Sequence, residues 1–404
     1  MLLRTLLLCA ATALVAQQPL VLTHANVIDG ASAAPIRDAT IVITGRTITS
    51  ITARGAVLAG ATVVDLGGRW VTPGLIDAHT HIATLANARR ALESGVTTVR
   101  SASVPHYEDV EIRELVRAGV LVGPDMVAAG VFVTPDLGET VLADARLGAF
   151  LMSGVRTPEA LRAVVRVNLD HGVDVIKTRG TERAGLPNTD PRKQTYTERE
   201  LRAVVEEAAT KQIPVMIHAH GDEGSYAAVA AGARSIEHGT YLSDSTLRLM
   251  ATKGAYLVPT LSTIWDLTQP GGDYEDPILE LRGRHMYPRA QETIRKARAL
   301  GVRIATGGDT DYGAKSTTRI SHEMERFIEL GFTPFEALQS ATTVAAELLG
   351  LGARTGRLAP GFDADLIVLE GNPLETPRMF EDVLMVVSNG TVAMTRFPFG
   401  KRDP

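Results

Sequence analysis

Between Gly74 and about Gly352, short apolar runs typical of strands alternate with longer runs typical of helices. A strand followed by a helix, repeated eight times, is the pattern of a (β/α)8 barrel. The predicted strands are Leu75–His81, Thr97–Ser101, Asp125–Ala129, Asp174–Thr178, Pro214–His218, Ser235–His238, Ala255–Pro259 and Arg303–Gly307. We therefore predict an α/β protein with a TIM barrel over residues 74–352.

Three threonines support this division into strands and helices. Thr157, Thr197 and Thr333 each precede a helical run, and proline or glutamate follows at the positions that helix starts favour. Their hydroxyls are predicted to cap the helices that follow.

The two ends of the chain have a different character. Short β-rich runs broken by glycines fill residues 20–71, and similar runs return from Asp365 to about Met394. We predict that residues 19–73 and 353–404 pair as the two parts of one small β-sandwich domain.

The first residues resemble a secretory signal peptide. Arg4 is followed by an apolar run from Leu6 to Ala16 that ends in small residues and is too short to span a bilayer. We predict a signal peptide over residues 1–18 and a secreted or periplasmic protein. The one cysteine, Cys9, lies in this segment, so the processed chain could form no disulfide.

The composition limits the class of partner. The chain is 45% hydrophobic and 22% charged, and its formal net charge of −5 is small for 404 residues with interspersed signs. This balance argues against nucleic acid and against an anionic membrane as the main partner. We predict a small-molecule substrate.

His79 and His81 form the first candidate site. Residues two apart on a strand point to the same side, so the end of Leu75–His81 presents two imidazoles to one point. This is a metal-ligand arrangement, although two histidines can share a strand face without a metal.

Further ligand-type residues follow the other predicted strands. Lys177, His218 and His238 lie at strand ends, and Asp309 follows the eighth strand. In a barrel these ends meet at one rim, where reactive groups are expected. His220 lies two residues after His218 and is predicted to face the same interior.

This set resembles the amidohydrolase superfamily. The resemblance rests on His79-x-His81, Lys177, His218, His238 and Asp309, together with the stretch from Val71 to His79 and the closing stretch from Pro360 to Val368. Within the superfamily the chain looks most like the imidazolonepropionase-related branch, which includes prolidase-type dipeptidases and ochratoxin A amidohydrolases. The resemblance implies a distorted barrel, a binuclear metal centre and a homo-oligomer.

The resemblance also assigns the metal ligands. His79, His81 and Asp309 would bind a more buried divalent ion, and His218 and His238 a more exposed one. Histidine and oxygen ligands without a thiolate suit zinc, the expected metal, but also tolerate manganese, cobalt or iron. Lys177 would bridge the two ions after N-carboxylation, because a carbamate is an anion with two oxygens whereas an ammonium cannot ligate.

Attack by a metal-bridging hydroxide would then need a general base. Asp309 is the predicted base, passing a proton to the leaving nitrogen. His220 is predicted to hydrogen-bond the carbonyl oxygen or the substrate, with a supporting or packing role as the alternative. No site for an organic cofactor is predicted.

The expected reaction is hydrolysis of an amide bond to a carboxylated residue, in a dipeptide or N-acyl amino acid, including ochratoxin A. The alternatives are a mononuclear cyclic amide hydrolase or deaminase, which Lys177 disfavours, and a noncatalytic scaffold, which the complete ligand set disfavours. The polar loop Thr178–Tyr196 is predicted to form the rim of the site, where an arginine could grip a carboxylate. Its cations and two nearby residues are the candidates for substrate contact: Arg179, Arg183, Arg192, Lys193, Tyr241 and Asp311. The remaining histidines are predicted to lie on the surface or to pack: His24, His106, His171, His285 and His322.

Overall fold

The computed structural model describes residues 18–397, so nearly all of the predicted signal peptide lies outside the described residues. The strands are β1 (Leu20–Val27), β2 (Ile36–Thr44), β3 (Thr47–Ala53), β4 (Thr62–Asp65), β5 (Trp70–Pro73), β6 (Leu75–Thr80), β7 (Val96–Ser101), β8 (Asp125–Ala128), β9 (Ile176–Arg179), β10 (Val215–Ala219), β11 (Ser235–His238), β12 (Tyr256–Val258), β13 (Leu366–Leu369), β14 (Met385–Ser388) and β15 (Thr391–Thr395).

The helices fall mainly between these strands in the middle of the chain. They are α1 (Leu85–Glu93), α2 (Glu108–Arg117), α3 (Phe150–Ser153), α4 (Pro158–Asp170), α5 (Glu198–Ala209), α6 (Asp222–Ala231), α7 (Asp244–Lys253), α8 (Leu261–Asp266), α9 (Pro277–Ala299), α10 (Ile320–Glu329), α11 (Pro334–Ser340) and α12 (Thr343–Leu348), with 3-10 turns at Gly138–Ala143, Ala145–Ala149 and Pro377–Glu381. Within residues 18–397, no helix combines the length and the apolar character that crossing a membrane requires.

Strands from both chain ends lie in one eight-stranded sheet. Its order is β15-β14-β13-β5-β1-β2-β3, and β4 pairs with β1. The ends meet where β13 runs antiparallel to β5, with Leu366 opposite Pro73 and Leu369 opposite Trp70. Apolar residues of both ends share one buried cluster, which includes Leu22, Ile41 and Val387. The arrangement of this sheet as a sandwich stays a prediction.

The middle of the chain forms two parallel sheets flanked by helices. One has the order β6-β7-β8 and the other β12-β11-β10-β9. Single parallel bridges extend this pairing from Val133 to Thr178, from Leu257 to Ile304 and from Thr80 to Thr310. The α/β class predicted from the alternating pattern is confirmed. Because the strands of each sheet run in parallel, the chain leaves all strands of that sheet at the same end.

The prediction of an eighth strand at Arg303–Gly307 is wrong. It makes one bridge, at Ile304, instead of a regular strand. One oxygen of the Asp77 carboxylate accepts the backbone N–H groups of His79 and Gly308, each at 3.0 Å. In a regular parallel sheet these two N–H groups would donate to backbone carbonyls of the neighbouring strand. Because they donate to a side chain instead, the pairing of this segment with β6 is irregular.

The three predicted helix caps are confirmed. The side chain of Thr157 accepts a hydrogen bond from the N–H of Ala160 at the start of α4. Thr197 and Thr333 form full capping boxes with Glu200 and Glu336 at the starts of α5 and α11. Each cap satisfies amides that the first helical turn would leave unpaired.

Candidate metal centre

The ligand-type side chains predicted from the sequence line one cavity of about 340 Å³. His79, Lys177, His218 and His238 lie on β6, β9, β10 and β11, near the ends where these strands leave the sheets. His81, His220 and Asp309 follow in the adjoining loops and line the same cavity. The parallel strands therefore bring together residues that are separated by more than two hundred positions in the chain.

One group of donors surrounds Asp309. Its Oδ1 lies 3.4 Å from Nε2 of His79 and 3.3 Å from Nε2 of His81. Its Oδ2 lies 4.0 Å from Nδ1 of His238. His79, His238 and Asp309 offer ligand atoms that all lie within 4.8 Å of one another, a spacing that could hold a metal ion.

A second group consists of three buried histidines. Ligand atoms of His218, His220 and His238 also lie within 4.8 Å of one another. The rings of His220 and His238 stack with centroids 4.7 Å apart, and the ring of His218 meets His238 edge-on at 4.5 Å. His238 belongs to both groups, so the two groups share one wall. The geometry adds His220 to the residues that could ligate, a role that the sequence did not assign to it.

Lys177 is buried between ligand-type side chains. Its Nζ lies 3.2 Å from Nε2 of His79 and 5.9 Å from the ring centroid of Phe132. Burial lowers the pKa of Lys177 to about 8, against the attraction of Glu237 and Asp309 for its charge. A substantial share of the amine is therefore neutral near pH 8 and able to react as a nucleophile.

Each histidine of the site is oriented by a hydrogen bond from one of its ring nitrogens to a neighbouring oxygen. Nδ1 of His79 contacts Glu237, Nδ1 of His81 contacts the carbonyl of Ser103 and Nδ1 of His220 contacts Thr240, at 2.6 to 2.8 Å. His238 uses Nδ1 toward Thr260 at 2.7 Å, whereas His218 uses Nε2 toward the carbonyl of Glu182 at 3.1 Å. Such outer contacts fix ring orientation and tautomer in metal sites.

Burial keeps most of these imidazoles neutral. It lowers the pKa of His79 to about 4 and that of His220 to about 3, and it lowers the pKa values of His218 and His238 well below their ordinary range. Burial alone would raise the pKa of Asp309, but its contacts with His79 and His81 hold it well below the ordinary value. Neutral imidazoles and an ionised carboxylate, without a thiolate, are donors that suit a divalent ion. The residues present therefore fit a metal.

Glu237 and Arg100 belong to the site but were missed in the sequence. Glu237 is fully buried, accepts from Arg100 at 3.0 and 3.1 Å, and contacts His79. Burial would raise the pKa of Glu237, yet the charge of Arg100 and the contact with His79 lower it to about 2. A glutamate inside the apolar run Ser235–His238 was the signal that could have identified it.

Left-handed backbone explains how neighbouring residues reach the same site. Alternation along a strand would send Glu237 and His238 to opposite faces. His238 has a φ of 74°, in the left-handed region of backbone conformations. Thr260 and Asp309 are also left-handed, with φ values of 47° and 45°. The turn at His238 breaks the alternation and brings its ring beside the ligand groups.

The candidate substrate contacts separate into those that line the cavity and those that do not. Arg183, Ala184 and Gly185 of the loop between β9 and α5 line it, so this loop forms part of the rim as predicted. Arg179 instead lies over Phe132, and Arg192 and Lys193 pair with Asp190 and Glu182. Other candidates and the remaining histidines do not line the cavity: Tyr241, Asp311, His24, His106, His171, His285 and His322.

Comparison with known proteins places this geometry in a family. The model of the amidohydrolase family matches residues 70–393. Ochratoxinase of Aspergillus niger is 29% identical over 351 residues, which cover 77% of this chain and 72% of the relative. Imidazolonepropionase of Paracoccus denitrificans is 29% identical over 364 residues, covering 78% of this chain and 82% of the relative.

A solved structure gives the same result for the fold. A Xaa-Pro dipeptidase with methionine bound in its active site superposes with a TM-score of 0.82 at 28% identity, covering 93% of this chain and 99% of the other. Together with the family match over most of the chain, this shows that the protein belongs to the amidohydrolase family and is a hydrolase acting on C–N bonds.

Proposed function

We propose that the protein hydrolyses an amide bond to a carboxylated residue, in a dipeptide or an N-acyl amino acid including ochratoxin A, with two divalent ions. The observation that carries the proposal is the pair of overlapping donor groups that share His238, with Lys177 buried beside them. The similarity to an ochratoxinase and to a Xaa-Pro dipeptidase supports the class of substrate.

The residues divide naturally between two ions. His79, His81 and Asp309 would hold one ion, and His218 and His238 would hold the other. His220 lies beside His218 and His238 in the same cavity. Lys177, N-carboxylated, would bridge them, because its lowered pKa leaves neutral amine to react with carbon dioxide. Bound divalent ions of this kind lower the pKa of water and polarise a carbonyl group. Zinc suits the donors.

Asp309 would move the proton in this reaction. It is ionised, because its pKa lies well below the ordinary value, and it lines the cavity. We propose that it accepts the proton of the attacking water and delivers it to the nitrogen of the leaving amine. Without that transfer the leaving group would depart as an unstable amide anion.

His220 has two roles open to it, depending on its tautomer. Its Nδ1 lies 2.8 Å from the hydroxyl of Thr240. If Nδ1 accepts from that hydroxyl, Nε2 carries a proton and can donate to the substrate carbonyl. If Nδ1 donates, Nε2 is free to ligate. We propose the donor role, which matches the sequence prediction.

The family match supports a proposal for the finer architecture. We propose that the two parallel sheets and the three single bridges close into a distorted (β/α)8 barrel over residues 74–352, and that the terminal sheet folds as a sandwich from residues 19–73 and 353–404. The bridge from Thr80 to Thr310 supports closure, because it joins the last segment of the barrel to β6. We also propose export through the predicted signal peptide, and assembly as a homo-oligomer.

Metal removal tests the proposal directly. Chelated protein is expected to lose hydrolysis of N-acyl amino acids, dipeptides and ochratoxin A, and added zinc is expected to restore it with two ions bound per chain. Activity that survives thorough chelation would contradict the metal mechanism.

Lys177→Met distinguishes the proposal from a mononuclear cyclic amide hydrolase or deaminase. We expect the variant to bind at most one ion and to lose activity by more than about a hundredfold. Carbon-13 bicarbonate is expected to label the wild-type chain as a carbamate and to leave Lys177→Met unlabelled. A variant that keeps full activity with one ion, particularly on a cyclic imidazolone, would favour the mononuclear enzyme.

A further inference from the structure

Arg183 differs from the other cations of its loop because it has no partner for its guanidinium among residues 18–397. Arg192 pairs with Asp190 at 3.0 Å and Lys193 pairs with Glu182 at 2.7 Å. Arg179 contacts Thr134 and lies over the ring of Phe132. Arg183 lines the cavity instead, so its charge is available to an anionic ligand there.

The backbone that carries Arg183 is held in place. A bridge between Thr181 and Gln194 closes the loop at its base. The guanidinium of Arg282, from α9, donates to four carbonyls of the loop, among them Leu186 at 2.7 Å and Thr189 at 2.6 Å. Charge-assisted hydrogen bonds of this kind are stronger than neutral ones, so the loop presents Arg183 at a fixed place on the rim.

Tyr274 lines the same cavity as Arg183 and Asp309. Its ring lines the cavity, and the charge of Asp309 is the largest influence that raises its pKa, followed by burial. The charge of Arg183 acts on the same phenol in the opposite direction. The phenol therefore stays protonated, and its hydroxyl is available to donate a hydrogen bond to a ligand in the cavity.

The rest of the lining is largely apolar. The hydrophobic residues of the lining are Ala102, Val104, Pro105, Phe132, Ile264 and Leu267. A ligand that suits this cavity is thus apolar along its length and carries an anionic group at the end near Arg183. Guanidinium forks match the planar geometry of a carboxylate.

We propose that Arg183, assisted by the hydroxyl of Tyr274, is the subsite that binds the carboxylate of an apolar N-acyl amino acid or dipeptide during hydrolysis. This rests on the proposed function for the reaction itself. It makes Arg183 a specificity-determining residue that selects acids over their neutral carboxamides. Arg282 acts through the loop, as a positioning residue.

The test compares an N-acyl amino acid such as N-benzoyl-phenylalanine with its carboxamide, on zinc-loaded protein. Wild-type protein is expected to prefer the acid by about a hundredfold in kcat/KM, which corresponds to a well-made charged contact. Arg183→Met is expected to bring the ratio near one, mainly through KM for the acid, and Arg183→Lys to recover part of it. Tyr274→Phe is expected to lower the ratio by about tenfold.

Arg192→Met is the matched control, since it removes a cation of the same loop that is already paired. It is expected to leave the ratio unchanged, and thermal melting checks that all variants fold. An unchanged ratio in Arg183→Met would overturn the proposal. If wild-type protein hydrolyses neither compound, the proposed function fails, and calorimetric binding of the two compounds then decides the subsite: tighter binding of the acid that depends on Arg183 supports it, and equal binding overturns it.

Discussion

Oε2 of Glu237 lies 2.6 Å from Nδ1 of His79, although 158 positions separate the two residues in the chain. Arg100 donates to both oxygens of the same carboxylate, at 3.0 and 3.1 Å. A carboxylate behind a ligating histidine fixes the tautomer and makes the ring a better donor.

Glu237→Gln is therefore expected to weaken metal binding by about ten- to a hundredfold. The glutamine keeps the shape but removes the charge that stabilises the N–H of His79. Competition with a fluorescent chelator measures the affinity. Asp365→Asn is the control, because Asp365 is another buried carboxylate but does not line the cavity, and this variant should bind metal as the wild type does.

The same substitution leaves Arg100 buried without its ion pair, which would destabilise the fold. The double variant Arg100→Met Glu237→Gln removes that penalty. If it recovers stability while metal affinity stays low, the loss belongs to His79. A metal affinity that returns with stability would show that Glu237 acts on the fold alone.

Asp309→Asn is expected to lower kcat by about 10²- to 10⁴-fold, because an amide cannot accept the proton that the reaction must move. Stopped assays on zinc-loaded protein, with metal content measured in parallel, check this. Asp311→Asn is the matched control, since Asp311 lies two residues on, is exposed and does not line the cavity. Equal losses in the two variants would remove Asp309 from the proton transfer.

Arg282→Met is expected to loosen the loop that carries Arg183. Four carbonyls lose their donor together, so cleavage of the loop by a protease should become about tenfold faster and KM should rise more than kcat falls. Limited proteolysis with mass spectrometry locates the cut. Arg284→Met is the control, because among residues 18–397 the guanidinium of Arg284 pairs with Glu280 alone, on the exposed face of α9. Unchanged proteolysis in Arg282→Met would mean that the loop stays ordered without the hydrogen bonds from Arg282.

Much of the site was predictable because ligand-type residues directly follow apolar strands. His79, Lys177, His218 and His238 reveal themselves in this way, and parallel strands then bring them to one edge. Glu237 and Arg100 do not, since each reads as an ordinary charged residue until the fold pairs them across 137 positions. The hydrogen bonds that hold the loop between β9 and α5 could not be predicted from the sequence either, because Arg282 donates to carbonyls more than ninety positions away.

The eighth strand shows a second limit of sequence patterns. Arg303–Gly307 has the apolar character of its neighbours, but the carboxylate of Asp77 takes two amides that a regular ladder would pair with carbonyls. Hydrophobic patterns report which residues are buried and say nothing of such competition for hydrogen bonds.

Asp365 gives a prediction for stability against pH. Burial, followed by the charge of Asp125, raises its pKa to about 7 in the folded chain. Between its unfolded pKa near ~4 and this value the folded state alone keeps the proton, so the free energy of unfolding falls as pH rises through that window. Below and above the window this group contributes no slope.

Asp365→Asn removes that titration while keeping the contacts with the amide of Asn389 and the hydroxyl of Thr355. Relative to wild type, the variant should gain up to about 4 kcal/mol on going from pH 4 to pH 7, from 1.36 kcal/mol for each pKa unit. Urea unfolding at a series of pH values measures the free energy of unfolding of both proteins. Contributions from other buried carboxyl groups are the same in both and cancel in the difference. Parallel curves for the two proteins would contradict the raised pKa.

The left-handed backbone at His238, Thr260 and Asp309 sets a trade-off for any effort to engineer this enzyme. Each such residue costs roughly 1–3 kcal/mol that glycine would not, and the surrounding packing must supply it. Selection for heat resistance alone would therefore reward glycine at all three positions. Glycine there would remove a proposed metal ligand (His238), the threonine that contacts it (Thr260) and the proposed proton carrier (Asp309). Thermostable libraries should therefore be screened for turnover at every round.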